Sequence, residues 1–227
     1  MTYTKKFAEE YDKNYNRNTK IYSIFNDDIK FPLLDIACGT GNFLEYVEKK
    51  FEPESIHLYG FDLSPNMLRF AKKKTSANLS IQDMLKFKYK KKFKTITCFY
   101  DSINHIQDFK RVFQNAYNHL SEDGNFIFDY NTIDRLKTFA EPKLFELKGN
   151  YSAHMGSYDS KTKSGHLNIS TFTREKGKRN KYIMNTIDII EYSHTKTQIN
   201  KWLREIGFKI TILESGQYRI MLKCTKK

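Results

Sequence analysis

The sequence predicts an α/β protein built on a mostly parallel sheet, and three observations predict it. Short apolar runs alternate with stretches of helical spacing between Leu33 and Phe128, one of those runs empties into a glycine turn that opens a helix, and a strand-rich block interrupts the alternation after Thr132. A chain of 227 residues suits one domain with a sizeable insertion and is long enough to bury a real core.

In chain order, a helical region is expected from about Thr4 to Phe25. Strands are expected at Leu33 to Ile36, Ile56 to Phe61, Leu79 to Gln82, Thr95 to Phe99 and Asn125 to Phe128, and helices at Asn42 to Lys50, Pro65 to Lys74, Phe109 to Leu120 and Thr197 to Ile206. Asn42 to Lys50 puts Phe43, Leu44 and Val47 on one face. Ser64-Pro65 is a helix start, with a serine to cap the first free N–H groups and a proline whose φ is already helical. Glu122-Asp123-Gly124 is expected to end the helix before the fifth strand. Between Thr132 and Ser193, His166 to Phe172 and Tyr182 to Ile190 carry partly alternating β-rich sequence around the polar turn Glu175 to Arg179, which predicts an inserted antiparallel hairpin. Phe208 to Leu213 and Tyr218 to Cys224 predict a closing hairpin on the sheet edge. The expected organisation is a core of residues 1–131 and 194–227, with 132–193 as a β insertion serving as substrate lid or oligomer contact.

The glycine turn lies in Leu33-Leu34-Asp35-Ile36-Ala37-Cys38-Gly39-Thr40-Gly41-Asn42. Glycine is needed where backbone turns sharply or a ligand approaches closely, because a Cβ would clash there. Strand, glycine turn and helix together make the first βα unit of a Rossmann-like sheet. The dinucleotide form of that unit has a third glycine for close helix packing and sets a pyrophosphate on the helix dipole. Here the third position is Leu44, and an acid, Asp35, precedes Gly39, a poor cradle for two phosphates.

Asp35-x-Ala37-x-Gly39-x-Gly41 instead resembles motif I of the class I S-adenosylmethionine (SAM)-dependent methyltransferases, whose cofactor ends in an amino acid. Asp62, about 20 residues past the loop at the end of the second strand, stands where a carboxylate accepts two ribose hydroxyls. Met67 resembles the position whose apolar side chain lies on the adenine ring, with a core methionine as the alternative. Asp83-Met84 resembles the family's adenine-edge reader, with a turn cap as the alternative, and Cys98 to Ser102 resembles the stretch beneath the methionine end and the sulfonium. The resemblance covers Leu33 to Asn131 in order, and Asn200 to Phe208 is similar to the family's last helix and sixth strand. It implies SAM as cofactor, with S-adenosylhomocysteine as product. It also implies a seven-stranded sheet with a reversed final strand, and Asp35, Ala37, Cys38, Gly39, Gly41, Asp62, Leu63, Met67, Asp83, Met84, Tyr100 and Asp101 as cofactor-binding residues.

Composition sets the surroundings. Lys+Arg 39 against Asp+Glu 26 gives a formal charge of +13, which raises a nucleic-acid or acidic-membrane partner. The excess is mostly lysine spread along the chain, densest at Lys72 to Lys74 and Lys88 to Lys92, and reads as solvated surface. Cys38, Cys98 and Cys224 are scattered without metal or disulfide spacing, the N-terminus has no signal-peptide run, and no segment is long enough to span a membrane. A cytoplasmic protein, monomer or homodimer, is expected.

Methyl transfer is an in-line displacement, so the enzyme mainly aligns a lone pair, excludes water and accepts a proton. The chain has neither an Asn/Asp-Pro-Pro-Tyr/Phe motif after the fourth strand nor a Pro-Cys nucleophile. Phe7 to Asp12 and Tyr100 to His105 resemble small-molecule N- and O-methyltransferases, above all the amino-sugar N-methyltransferases, and this resemblance implies Tyr11 and His105 as the residues that orient or deprotonate the acceptor. His105 as a cap for the Gln107 to Leu120 helix is the alternative. The pocket aromatics of that group have no counterpart after the fifth strand, where Asp129-Tyr130-Asn131-Thr132 stands. Asp101, Asp129 and Asn131 are similar to the Mg²⁺ ligands of catechol O-methyltransferases, though Tyr130 interrupts the pair, and no metal is the expectation. His154, His166 and His194 lack ligand spacing and are expected on strand faces or pocket walls. The leading expectation is a SAM-dependent enzyme methylating N or O of a small metabolite, an amino sugar among the candidates. The alternatives are an RNA methyltransferase using the lysine-rich surface and a non-catalytic SAM-binding or partner protein.

Overall fold

The computed structural model describes residues 3–14, 20–51, 57–147, 149–175, 177–178 and 181–227. Helices α1 (Lys5–Asn14) and α2 (Lys20–Ser23) lead into β1 (Leu33–Ile36), α3 (Asn42–Lys50), β2 (Leu58–Asp62), α4 (Pro65–Ala71), β3 (Asn78–Ile81), β4 (Phe93–Cys98), α5 (Phe109–His119) and β5 (Leu120–Asn131). An insertion follows, made of α6 (Ile133–Lys137), β6 (Lys143–Leu147), β7 (Asn150–Asp159), β8 (Ser164–Arg174) and β9 (Tyr182–Tyr192). The chain ends with α7 (Lys196–Ile206), β10 (Phe208–Ser215) and β11 (Arg219–Lys226).

The main sheet has the order β10-β11-β5-β4-β1-β2-β3. Its pairs are parallel except those of β11, which runs antiparallel to both β5 and β10. This is the expected Rossmann-like, seven-stranded sheet with a reversed last strand. Strand alternation divides its apolar residues between two cores. Leu34, Ile36, Phe126, Phe128, Ile220 and Leu222 pack on the α5/α7 side, while Leu33, Ile127 and Met221 pack with Phe43, Leu44 and Leu68 of α3 and α4. Helix α5 buries Phe109, Val112, Phe113 and Ala116 completely. At roughly 1.5–3 kcal/mol for each large apolar side chain, that face outweighs any helix propensity.

Several boundaries differ from expectation for local reasons. Within the expected helical region Thr4 to Phe25 the described residues form α1 and α2, followed by a 3₁₀ turn at Asn26–Asp28, and residues 15–19 lie outside the described residues. Helix α4 stops at Ala71 because Lys73 and Lys74 close tighter bonds onto Phe70 and Ala71. Helix α5 ends at His119, and Glu122-Asp123-Gly124 falls inside β5, where Asp123 takes a positive φ of 57° and the pairing with β4 shifts register. Asp108, not His105, caps α5, its carboxylate accepting the Arg111 N–H at 3.0 Å. Ile56 lies outside the described residues.

The expected hairpin is β8–β9, in a four-stranded antiparallel sheet ordered β6-β7-β8-β9. Strand β7, Asn-Tyr-Ser-Ala-His-Met-Gly-Ser-Tyr-Asp, escaped the sequence reading because it has few β-branched residues. Among the described residues, no helix is long and apolar enough to cross a membrane.

Candidate active site

A cavity of about 850 Å³ opens at the carboxyl ends of β1, β2 and β4, where a doubly wound sheet places its ligands. Its floor is Ala37, Gly39, Asp62, Met67, Asp83 and Tyr100, and its roof is α1 together with alternate residues of β9. The roof is tied down from three directions. Asn66 donates to the Tyr3 carbonyl at 2.8 Å, Lys74 ion-pairs with Asp12, and Asn185 of β9 donates to Glu10 at 3.1 Å. A recess of about 40 Å³ continues beneath Gly39, lined by Tyr11, Tyr22, Asp35, Cys38, Thr40 and Tyr100 among others.

The glycine loop is held by an acid from the next strand. Asp62 accepts the Gly39 N–H on Oδ2 at 2.9 Å and the Ser64 N–H on Oδ1 at 2.8 Å, so one carboxylate joins the loop to the start of α4. Burial raises its pKa, and these backbone N–H groups oppose the shift. Gly39 has φ +54° and a Cβ there would meet nothing within 4 Å, so the loop offers bare backbone to the cavity. Gly41 does another job. At φ +80°, a Cβ would meet Ala71 Cβ at 2.9 Å, so this glycine lets α3 pack on α4 and lines neither cavity.

Asp35 is 3% exposed and accepts the Thr97 hydroxyl at 2.7 Å, yet burial lifts its carboxyl to about 7. Nearby, Thr40 Oγ1 is buried without a hydrogen-bond partner in the recess wall. An unpaired hydroxyl and a strained carboxyl are what the ammonium and carboxylate of an amino acid would satisfy, and the residues present fit the methionine end of SAM. Met67 is buried yet faces the cavity, as do Leu63 and Met84. Asp83 makes the turn cap weighed for it, Oδ1 accepting the Leu85 N–H at 2.9 Å, and the residue also lines the cavity.

The corner after β4 is strained. Tyr100 and Asp101 both have positive φ, 56° and 52°, unusual for two successive non-glycine residues. Asp129 of β5 lies beneath them, fully buried and ion-paired with Arg219 of β11. The N–H groups of Tyr100 and Asp101 favour its charged form from outside closed hydrogen-bond geometry, leaving Oδ1 without a partner. Burial nevertheless raises its pKa. Asn131 also has other work, its side chain donating to Glu191 at 2.9 Å. Asp101, Asp129 and Asn131 therefore do not converge as a ligand set, and among the described residues no group of acids, histidines or cysteines is placed to hold a metal ion.

Tyr11 and His105, expected around the acceptor, both line the cavity. His105 closes the 3₁₀ turn Ser102–His105, with Nε2 3.5 Å from the Tyr3 hydroxyl and a hydrogen bond to the Ile190 backbone. Burial lowers its pKa, which leaves the imidazole neutral. His154, His166 and His194 lie away from the cavity; His166 faces Asp188 and His194 packs between Phe109 and Trp202.

Sequence reading missed Tyr3, Asn185 and Glu191 on the cavity wall, and Asn104 behind it. Asn104 is fully buried, donates to the Asn131 and Tyr192 carbonyls and accepts the Asn131 N–H, pinning β9 to β5. Glu191 was legible in principle: Asn185, Ile187, Ile189 and Glu191 share one face of a period-2 strand.

A family model described as a methyltransferase domain matches residues 33–124. The chain is 28% identical over 192 residues to a protein of Geobacillus sp. (strain WCH70) named as a methyltransferase, covering 80% of this chain and 74% of that one. It is 32% identical over 111 residues to the dTDP-3-amino-3,4,6-trideoxy-alpha-D-glucopyranose N,N-dimethyltransferase of Streptomyces venezuelae, covering 44% of this chain and 45% of that one. Among solved structures, it matches a S-adenosylmethionine-dependent methyltransferase from Clostridium acetobutylicum ATCC 824 with a TM-score of 0.81 and 26% identity, over 97% of this chain and 98% of that one.

Proposed function

As a class I SAM-dependent methyltransferase the chain needs an acceptor for its methyl group, and we propose that this acceptor is a small metabolite methylated on N or O, with an amino sugar as the leading case. The observation that carries the reading is the cavity. Its volume of about 850 Å³ lies at the upper end of ordinary small-molecule pockets, with room for cofactor and acceptor together, and α1 and β9 roof it. Its acids Asp101 and Glu191 would repel the phosphates of RNA, whereas the lysine runs lie elsewhere on the surface. The amino-sugar choice is supported by similarity to the Streptomyces venezuelae enzyme.

When bound, SAM supplies a methyl group already activated on a sulfonium. The chain's own residues do the rest. Asp62 has lone pairs left to accept two ribose hydroxyls beside its backbone bonds, Met67 and Leu63 offer apolar contact to the adenine, and Asp83 with the Met84 N–H reads its edge. Asp35, Ala37, Cys38, Thr40 and Tyr100 surround the amino-acid end. Tyr11 and neutral His105 orient the acceptor, while α1 and β9 exclude water.

The test is to incubate the protein with methyl-labelled SAM and a cell extract, then separate RNA, protein and small molecules. Label in the small-molecule fraction is expected. Label in RNA or protein, or in no fraction, overturns the reading.

A further inference from the structure

We propose that Glu191 and Asp101 form an anionic acceptor subsite at the insertion end of the cavity, one that selects a nitrogen acceptor as its ammonium ion and takes the proton that must leave before transfer. The proposal rests on the methyltransferase reading and narrows its N-or-O acceptor to N.

The charge distribution points there first. Five carboxylates, Glu10, Asp62, Asp83, Asp101 and Glu191, line the cavity against one lysine, Lys6, in a chain of net charge +13. Three of the five have local work. Asp62 holds the glycine loop, Asp83 caps a turn and Glu10 accepts from Asn185. Asp101 and Glu191 come from opposite walls, the strained corner after β4 and the last inward position of β9, and among the described residues neither has an ion-pair partner.

Both residues are also held in place. Glu191 is 5% exposed, and its Oε2 accepts the Asn131 amide, which is itself fixed by Asn104. Ser193, two residues on, donates to the Asn131 carbonyl at 2.8 Å and anchors the strand end. Asp101 is held by the positive-φ corner above Asp129. Facing the pair are Tyr3 from the N-terminal segment, His105 from the 3₁₀ turn, Asp129 and Arg219 from β5 and β11, and Arg135 from α6. Arg219 is spent on Asp129, and Arg135 acts only from a distance. Burial raises both carboxyls, and their mutual repulsion adds to the rise at Asp101. An acid pair with one member buried and the other half-buried, and no cation beside it, either keeps a proton or waits for one. An ammonium ion satisfies both charges at once.

The step balances. An N–H bond of the bound ammonium breaks, its proton going to the Glu191/Asp101 pair and its electrons remaining as the nitrogen lone pair. The new N–C bond forms as the C–S bond of the sulfonium breaks, with that pair left on sulfur. The product amine is again a cation, and the proton held by the pair exchanges with water as product leaves.

Wild type, Glu191→Gln and Asp101→Asn are compared as full chains, and Gln at 191 can keep the contact with Asn131. Labelled product from SAM and the metabolite fraction of a cell extract is passed over a cation exchanger at acid pH, and SAM binding is measured by calorimetry. Retention of the label as a cation is expected, with transfer falling roughly 10²-fold in Glu191→Gln and SAM affinity staying within about threefold. In the cofactor-free protein, ¹³C-carboxyl NMR should show Glu191 titrating above ordinary glutamates, and moving down in Asp101→Asn. A neutral O-methyl product, undiminished transfer in Glu191→Gln, a normal Glu191 titration, or loss of SAM binding in Glu191→Gln overturns the subsite alone. Label in RNA or protein, or in no fraction, overturns the small-metabolite reading and the subsite with it.

Discussion

Replacing Asp62 with alanine separates what this carboxylate does for the loop from what it does for the cofactor. It is 8% exposed and takes two backbone N–H groups at 2.8 and 2.9 Å. A hydrogen bond to a charged group contributes about 1.5–3 kcal/mol, and orphaning a buried donor costs about 1–3 kcal/mol. The two bonds share one carboxylate and water can enter the gap, so a destabilisation of about 2–4 kcal/mol is expected rather than the full sum. Two ribose hydroxyls lost from the same charged acceptor would weaken SAM binding by about 10²- to 10⁴-fold. Urea unfolding of the cofactor-free protein reads the first effect, and calorimetric titration with SAM and S-adenosylhomocysteine reads the second. A variant destabilised as expected that still binds SAM within threefold of wild type would refute the ribose assignment. Unchanged stability would refute the account of the loop.

Four further outcomes follow from the geometry. Gly41→Ala meets both a positive φ and Ala71 at 2.9 Å, so urea unfolding should show a loss of about 2–4 kcal/mol. Asp108→Ala removes the α5 cap and should cost about 1 kcal/mol with methyl transfer intact, whereas His105→Gln should lower transfer and leave the unfolding midpoint nearly unchanged. Asp35 has a folded pKa of about 7 against 3.8 for the free side chain. The unfolded carboxyl loses its proton first, so stability of the cofactor-free protein falls as pH rises between those values and levels off above them. Asp35→Asn should flatten that fall in a pH series of urea melts, and a wild-type profile flat from pH 4 to 7 would contradict the burial argument.

The glycine loop and the acid that holds it were legible because their signals are local. A strand, a glycine turn and a helix occupy contiguous residues, and Asp62 falls at the end of the following strand, so spacing alone places them. Helix α3 was read to the residue because Phe43, Leu44 and Val47 form its only apolar face. The far wall of the cavity was not legible in the same way. Tyr3 and Glu191 are brought to one space by tertiary packing across nearly the whole chain, and the period-2 face of β9 says which residues share a side but not what they face. Strand β7 hid behind Ser, Asn, His and Gly, residues that form a strand there because neighbouring strands supply the hydrogen bonds. Capping of α5, one of two roles weighed for His105, falls to Asp108 three residues on, since either can accept an N–H and only the backbone path chooses.

The Asn104 clamp has a consequence for how this molecule can diverge. It fastens β9 to β5 through backbone carbonyls and one N–H, indifferent to the side chains farther along the strand. Ile187 and Ile189 can therefore be exchanged without loosening the joint or touching the glycine loop. The glycine loop and the inward face of β9 lie on separate stretches of chain, so a descendant can reshape one wall of the cavity by rewriting a few alternate letters of β9 and leave the other wall as it is.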